Sequence, residues 1–250
     1  MRIAYDRCPL CAGTGFSLLR KADCAGHPLY HPALGATLVW MACACGHVFT
    51  ESHWSAKADS LIAQKTLPGQ RFGSGNIELD RAVSARMIEK VLPLHSAGAW
   101  LDFGFGNGAL MMTAREYGFD VTGIERRPEN LDAAAAAGYR VRPQLPGSGS
   151  YQVISLCDAL EHVPQPLALL GALHGLLARP GVLLLSMPNS DCAVWGAWGD
   201  QNPYWGELEH FHNFSRATLY RALEQSGFRP MRYGISERYR ACMEVIAWKS

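Results

Sequence analysis

From residue 77 onward, apolar positions recur with two alternating periods. Leu79, Val83, Met87 and Val91 fall four residues apart, on one face of a helix. Pro93 stops that helix, because proline has no N–H to donate and its ring clashes with the preceding turn. Short apolar runs and amphipathic stretches then alternate. They predict strands at 99–103, 120–124, 139–141, 151–156 and 182–187, and helices at 109–117, 128–137 and 166–177. Gly118 and Gly138 stand just past two of the helices, Pro128 stands at a first helical position, and Arg179-Pro180-Gly181 closes the leucine-rich helix. Ser215 is placed to cap a last helix that Gly227 ends, and two final runs, 228–236 and 240–248, predict a terminal strand pair. Strands alternating with helices predict an α/β fold, a doubly wound parallel sheet with helices on both faces.

The first 76 residues break this rhythm. Residues 1–54 hold five of the eight cysteines and four of the nine histidines and predict few helices. Residues 55–76 are polar and carry Leu67-Pro68-Gly69-Gln70 and Gly73-Ser74-Gly75, which read as a linker or lid. The chain divides accordingly into a segment 1–54, a linker or lid 55–76 and an α/β domain 77–250. With 250 residues, 48% of them apolar, it is long enough for one full-sized core and a small appendage.

A net charge of +1 gives no global sign of nucleic acid or an anionic membrane as partner. No apolar run approaches the roughly 18 residues of a membrane span. The first residues, with Arg2, Asp6 and Arg7, lack the apolar core of a signal peptide. A soluble, cytoplasmic protein is expected. In a reducing compartment clustered thiols point to a metal rather than to disulfides. Cys8-Pro9-Leu10-Cys11 brings two thiolates together on a tight turn, and Cys43-Ala44-Cys45-Gly46 supplies the second half. Its spacing departs from Cys-x-x-Cys, since Ala42 occupies the position that spacing would use. For the fourth ligand Cys43 therefore competes with Cys24, His27 and His47. Four such ligands saturate zinc, so the metal would be structural.

The sharpest motif is Leu101-Asp102-Phe103-Gly104-Phe105-Gly106-Asn107-Gly108, a buried strand entering a glycine turn that opens a helix. Glycines let the backbone approach a ligand, and the helix N-terminus offers free N–H donors. Glu125 ends the next strand, where an acid can accept from both hydroxyls of a ribose. Gly104-x-Gly106-x-x-Ala109 also fits a dinucleotide site. Asp102 argues against it: an acid there can hold the ammonium of a methionine moiety but would repel a pyrophosphate. The segment Cys157-Asp158-Ala159-Leu160-Glu161-His162-Val163-Pro164 after the strand 151–156, and the terminal hairpin, point the same way.

On these motifs residues 99–248 resemble class I S-adenosylmethionine (SAM)-dependent methyltransferases. Asp102-x-Gly104-x-Gly106-x-Gly108 resembles the first motif of that family, Glu125 its ribose acid, and 154–166 its segment after the fourth strand. Residues 209–228 resemble the His-x-x-x-Phe-Ser, helix and Gly-Phe block of its small-molecule branch. The resemblance implies seven strands with the last antiparallel, and methyl transfer to O, N or C of a small acceptor. It implies SAM held by Asp102, Gly104, Gly106, Gly108, Glu125 and Asp158. Gln144 stands where the family often has an adenine-binding acid or amide. Asp158-x-x-Glu161-His162 resembles the acid-x-x-Glu-His of ubiquinone-type O-methyltransferases, where a divalent metal has been implicated. The N-terminal segment resembles zinc-ribbon extensions of bacterial methyltransferases, with Cys8, Cys11, Cys43 and Cys45 as ligands.

Residues 190–214 contain Trp195, Trp198, Tyr204, Trp205, Phe211 and Phe214, and the acids Asp191, Asp200, Glu207 and Glu209, without Lys or Arg. Such an insertion suits an apolar, aromatic or cationic small molecule and suits a phosphate backbone poorly. His210, at its end, is the first candidate for a catalytic base, with Glu207 or Glu209 orienting its other nitrogen; His212 and His162 follow. Two other readings compete. One is an rRNA or tRNA base methyltransferase that uses the zinc knuckle on RNA, favoured by Arg216, Arg221, Arg229, Arg232, Arg238 and Arg240. The other is a non-catalytic SAM-binding protein that docks on a partner through the zinc segment.

Overall fold

The computed structural model describes residues 1–249. Its N-terminal part consists of β1 (Arg2–Ala4), β2 (Phe16–Asp23), β3 (Thr37–Cys43), β4 (Val48–Thr50) and β5 (Ser52–Trp54). β1 pairs antiparallel with β5, and β2, β3 and β4 form an antiparallel meander. The stretch 55–76 is more ordered than a linker. It carries α1 (Ala56–Ala63), where the Ser55 side chain accepts from the Ala58 N–H and where Ala58 and Ile62 are buried. A 3₁₀ turn follows at Pro68–Gln70.

The remaining helices are α2 (Ile77–Glu89), α3 (Ala109–Glu116), α4 (Pro128–Ala136), α5 (Pro166–Leu176), α6 (Ala193–Trp198) and α7 (Arg216–Gln225). The strands they alternate with are β6 (Gly98–Phe103), β7 (Phe119–Ile124), β8 (Arg140–Arg142), β9 (Tyr151–Cys157), β10 (Leu177–Pro188), β11 (His212–Asn213), β12 (Arg229–Ile235) and β13 (Cys242–Lys249). Seven of these form one sheet in the order β12-β13-β10-β9-β6-β7-β8. From β10 to β8 neighbours are parallel, and β13 runs antiparallel to both β10 and β12. The expected seven strands with an antiparallel last strand are therefore present.

One face of the sheet is covered by Met87 and Ile88 of α2, Leu110, Met111 and Ala114 of α3, and Ala134 of α4. The other is covered by Leu169, Leu170 and Leu173 of α5 and by Leu219, Ala222 and Leu223 of α7, and Tyr5, Leu10 and Phe49 of the N-terminal part join this second core. Among the described residues, no helix is long and apolar enough to cross a membrane.

The aromatic insertion behaves differently from its sequence expectation. β11 is the fourth strand of the N-terminal meander, paired with β4. Trp205 packs edge-on against Trp40 at 5.6 Å, and Trp195 stacks on Tyr204 at 5.1 Å. The indole N–H groups of Trp40 and Trp54 each donate at 2.9 Å, to the Trp205 and Leu208 carbonyls. Trp205, Phe211 and Phe214 cement the insertion to the N-terminal sheet, because a large apolar surface is best hidden against another one.

Candidate active site

β6, β7 and β9 end at a cavity of about 980 Å³. This is the carboxyl edge of a parallel sheet, where ligands of open α/β folds bind. Asp102, near the end of β6, is buried and accepts from Ser155 Oγ at 2.7 Å. Burial pushes its pKa up to about 6, with the Ser155 hydrogen bond and the charge of Arg238 opposing. Gly104 has φ +77°, and a Cβ there would stand 3.3 Å from that of Ala159. Gly108 has φ +82° and begins α3; a Cβ on it would come within 2.6 Å of the Phe72 ring. At both positions the turn requires glycine.

Glu125 follows β7 and is buried. Its Oε2 accepts from the Gly106 N–H at 3.2 Å, and its Oε1 from the Arg126 and Arg127 N–H groups at 2.8 and 3.0 Å. Asp158, after β9, sits in the left-handed region with φ +51°. For a residue with a side chain that costs on the order of 1–3 kcal/mol, a strain that gathers at functional sites. Its N–H donates to Ser186 O at 2.7 Å, and its Oδ2 accepts from Arg238 Nε at 2.9 Å. Asp102, Gly104, Gly106, Glu125, Gln144 and Asp158 all line the one cavity, and Gly108 stands a step behind it.

The three candidate histidines fall out unequally. His162 lines the cavity, whereas His210 and His212 do not. His162 Nδ1 lies 3.1 Å from the Glu209 carbonyl. A carbonyl only accepts, so Nδ1 carries the proton and Nε2 keeps the lone pair. Burial, with Arg126 nearby, lowers the His162 pKa to about 3. His210 stands one ring behind, edge-on to His162 at 4.7 Å and stacked on Tyr204 at 5.9 Å. Burial, then the neighbouring His162, lowers its pKa to about 3, and its Nδ1 has no hydrogen-bond partner. The carboxylates expected to orient it are engaged elsewhere: Glu207 pairs with His27 at 2.7 Å, and Glu209 with Arg126 and Arg127. His212 has both nitrogens engaged, Nε2 with Val163 O at 3.0 Å and Nδ1 with His47 Nε2 at 3.2 Å, which suits a structural tie. The segment Asp158-x-x-Glu161-His162 also splits. Glu161, His162 and His210 bring one ligating atom each within 4.8 Å of one another, with both Glu161 oxygens unpartnered, while Asp158 turns to Arg238.

Three of the four acids of the insertion are paired within the protein. Asp200 pairs with Arg20, Glu207 with His27 and Glu209 with the two arginines, so their charge is spent within the protein. Three of the six C-terminal arginines are likewise engaged within the protein. Arg216 lies over Tyr220 and Tyr233, Arg221 donates to the Cys45 carbonyl at 2.8 Å, and Arg238 is held by Asp158. Two features escaped sequence reading. Ile3, His53, Trp54 and Asp59 of the N-terminal part line the same cavity. Arg126 bridges Asp59 and Glu209 across it. The Arg126-Arg127 pair directly after Glu125 was the available signal.

The thiols of Cys8, Cys11, Cys43 and Cys45 lie within 4.8 Å of one another. Cys8 and Cys45 Sγ are 3.8 Å apart, and Cys11 and Cys43 Sγ 3.6 Å. A disulfide would need about 2.05 Å. Thiolates about 2.3 Å from a central tetrahedral ion stand about 3.8 Å apart, so the spacing fits a metal. The Gly13 N–H donates to Cys11 Sγ at 3.4 Å. The alternative ligands are elsewhere: the Cys24 thiol donates to Gly35 O, His27 meets Glu207, and His47 meets His212.

A family model described as "Methyltransferase domain" matches residues 78–232. The chain is 36% identical over 103 residues to a ubiquinone biosynthesis O-methyltransferase of Psychrobacter cryohalolentis, which covers 36% of this chain and 40% of that protein. It is 34% identical over 107 residues to one of Xanthomonas campestris, covering 38% and 45%. The chain thus spans less than half the length of these relatives. Among solved structures it is similar to a Burkholderia thailandensis 1,6-didemethyltoxoflavin-N1-methyltransferase with bound S-adenosylhomocysteine, at TM-score 0.53 and 21% identity, over 70% of this chain and 81% of that one. It is also similar to a Synechocystis magnesium protoporphyrin IX methyltransferase, at TM-score 0.54 and 19% identity, over 70% and 84%.

Proposed function

The chain belongs to the methyltransferase-domain family that residues 78–232 match, and from that premise we propose that it is a SAM-dependent enzyme methylating a small-molecule acceptor. One observation carries the reading. Two buried acids, Asp102 and Glu125, end adjacent strands on either side of a left-handed glycine turn and open on one cavity. Asp102 would hold the ammonium of SAM and Glu125 its ribose hydroxyls. Gly104, Gly106 and Gly108 shape the turn, and Asp158 closes the methionine side. When bound, SAM supplies an electrophilic methyl group. The protein's part is to align the acceptor with it, to keep water out, and to relieve the acceptor of a proton where the chemistry requires it. His162, with a lone pair on Nε2 and a place in the cavity wall, is the residue for that last task, with His210 behind it. The relatives named above act on small molecules according to their names, and the apolar wall of Trp54, Leu145, Val163 and Phe211 suits such an acceptor.

Calorimetry tests the assignment. Glu125→Ala removes charge-assisted hydrogen bonds to the ribose worth roughly 1.5–3 kcal/mol, so SAM should bind about ten- to a hundredfold more weakly. Unchanged SAM affinity, or tighter binding of NAD than of SAM, overturns it.

The raised pKa of Asp102 makes a second prediction. Only the carboxylate pairs with an ammonium. SAM affinity should therefore be constant between about pH 6 and pH 7.5, where the amino group of SAM also keeps its proton, and fall as the pH drops through 6, because protons then compete for Asp102. An Asp102→Asn variant should bind weakly with no such dependence. A wild-type affinity that is flat from pH 7.5 to 5 removes the role of Asp102.

We further propose that Cys8, Cys11, Cys43 and Cys45 hold one structural zinc. The support is their tetrahedral spacing and the saturation of the ion by four thiolates, which leaves no open position for catalysis.

A further inference from the structure

Three arginines line the cavity, and two of them spend terminal amino groups on carboxylates of the protein. Arg126 ion-pairs with Asp59 and Glu209, and Arg127 donates twice to Glu209 at 3.2 Å. Arg238 is different. Its Nε donates to Asp158 at 2.9 Å, while its two terminal amino groups make no hydrogen bond among the described residues. A quarter of its side-chain surface is accessible, and it lines the cavity.

Its position is fixed from several sides. The Arg238 N–H donates to Ser236 Oγ at 3.0 Å, and Ser236 Oγ lies 2.7 Å from Ser186 Oγ. Ser186 O accepts the Asp158 N–H at 2.7 Å, so guanidinium and carboxylate hang from the same strand residue. The preceding Glu237 is tied to Arg86 of α2 at 3.0 Å and to Lys90, which caps that helix, at 2.8 Å. A guanidinium held by Nε alone presents its terminal N–H groups as a fork, a geometry matched to a planar carboxylate. Arg126 and Arg127, the other cations of the lining, are already paired with Asp59 and Glu209, so an entering carboxylate finds uncommitted terminal donors at Arg238. Asp102 and Arg238 line the same cavity.

We infer that Arg238 is a carboxylate-binding residue of the cavity, fixed through Nε on Asp158 and receiving a carboxylate on its terminal amino groups beside Asp102. Two ligands can bring that group: the amino-acid end of the cofactor, or an acidic acceptor. The inference rests on the methyltransferase reading above.

The test compares wild type, Arg238→Gln and Arg238→Lys by calorimetry with three probes: SAM, decarboxylated SAM, which keeps the ammonium and lacks the carboxylate, and benzoate. If the cofactor brings the carboxylate, Arg238→Gln binds SAM about ten- to a hundredfold more weakly and decarboxylated SAM as wild type does. Arg238→Lys then falls between, since a point charge replaces the fork. Unchanged affinity for decarboxylated SAM also shows that the variant is folded. If the acceptor brings it, wild type and Arg238→Gln bind both nucleosides alike, and Arg238→Gln loses the wild-type affinity for benzoate. Equal binding of all three probes by wild type and Arg238→Gln overturns the inference. So does an equal loss of SAM and decarboxylated SAM, which marks Arg238 as only a support for Asp158. A wild-type protein that binds neither nucleoside overturns the methyltransferase reading, and this inference with it.

Discussion

If the four cysteines hold zinc as proposed, stripping it with a chelator under reducing conditions is expected to unfold the cysteine-rich part of the protein and abolish turnover. Structural zinc contributes apparent binding free energies of about 10–16 kcal/mol in small zinc domains. Whole proteins are stable by only about 5–15 kcal/mol, so the loss is of the same size as the entire stability of a protein and a small meander has little to set against it. Its own core is small, built on Leu29, Leu38, Trp40, Trp54 and Ile62, with Leu208 and Phe211 lent by the insertion. Without the ion the buried Cys8 and Cys43 are left as thiols facing one another. Because Ile3, His53 and Trp54 line the cavity, the damage does not stay local. Hydrogen exchange should show lost protection in β3 and β4, elemental analysis of untreated protein should give one zinc per chain, and Cys8→Ser should reproduce the stripped state. Protein purified without chelator that contains no zinc, or stripped protein with full protection and full turnover, rejects the site.

The second large effect is expected at His162. If its Nε2 lone pair receives a proton or hydrogen bond from the acceptor, His162→Ala should slow turnover about 10²–10⁴-fold while leaving SAM affinity close to wild type. His210→Ala should cost less, since that ring supports His162 from behind rather than lining the cavity. The low pKa of His162 fixes the sign of the pH effect. Burial and Arg126 keep the ring neutral down to about pH 3, so turnover at saturating SAM should not fall between pH 8 and 5 through this residue. Steady-state rates for the two variants decide the matter. Near-normal turnover in His162→Ala, with strong loss in His210→Ala, would return the role to the residue favoured by the sequence alone.

That difference shows which parts of the molecule the sequence expressed. The motif 101–108, Glu125 and the alternation of strands and helices are local patterns, and each is set by a few residues close together in the chain. The paired half-knuckles were legible for the same reason. The environment of His210 was not, because it depends on Tyr204 and His162 arriving from separate segments and on Glu207 and Glu209 being claimed by distant cations. The aromatic insertion misled in the same way. Its rings signalled burial, but the sequence did not say against what, and the answer is a sheet formed more than a hundred residues earlier. Arg238 was visible only as one basic residue among six; its fixed Nε and open amino groups are properties of the folded hairpin.

The pairing of β11 with β4 also governs the order in which this protein can be completed during synthesis. The Thr50 N–H donates to Phe211 O at 2.9 Å, and those residues stand 161 positions apart in the chain. At translation rates of about 5–20 residues per second, the meander leaves the ribosome roughly 8–30 s before its fourth strand does. During that interval β4 has an open edge, and Trp40 and Trp54 lack the cover of Leu208 and Phe211. If the four cysteines bind zinc as proposed, the nascent segment can already gather it, because all four precede the methyltransferase sheet in the chain. Metal capture would then be the event that protects a half-finished sheet while the rest of the polypeptide is made.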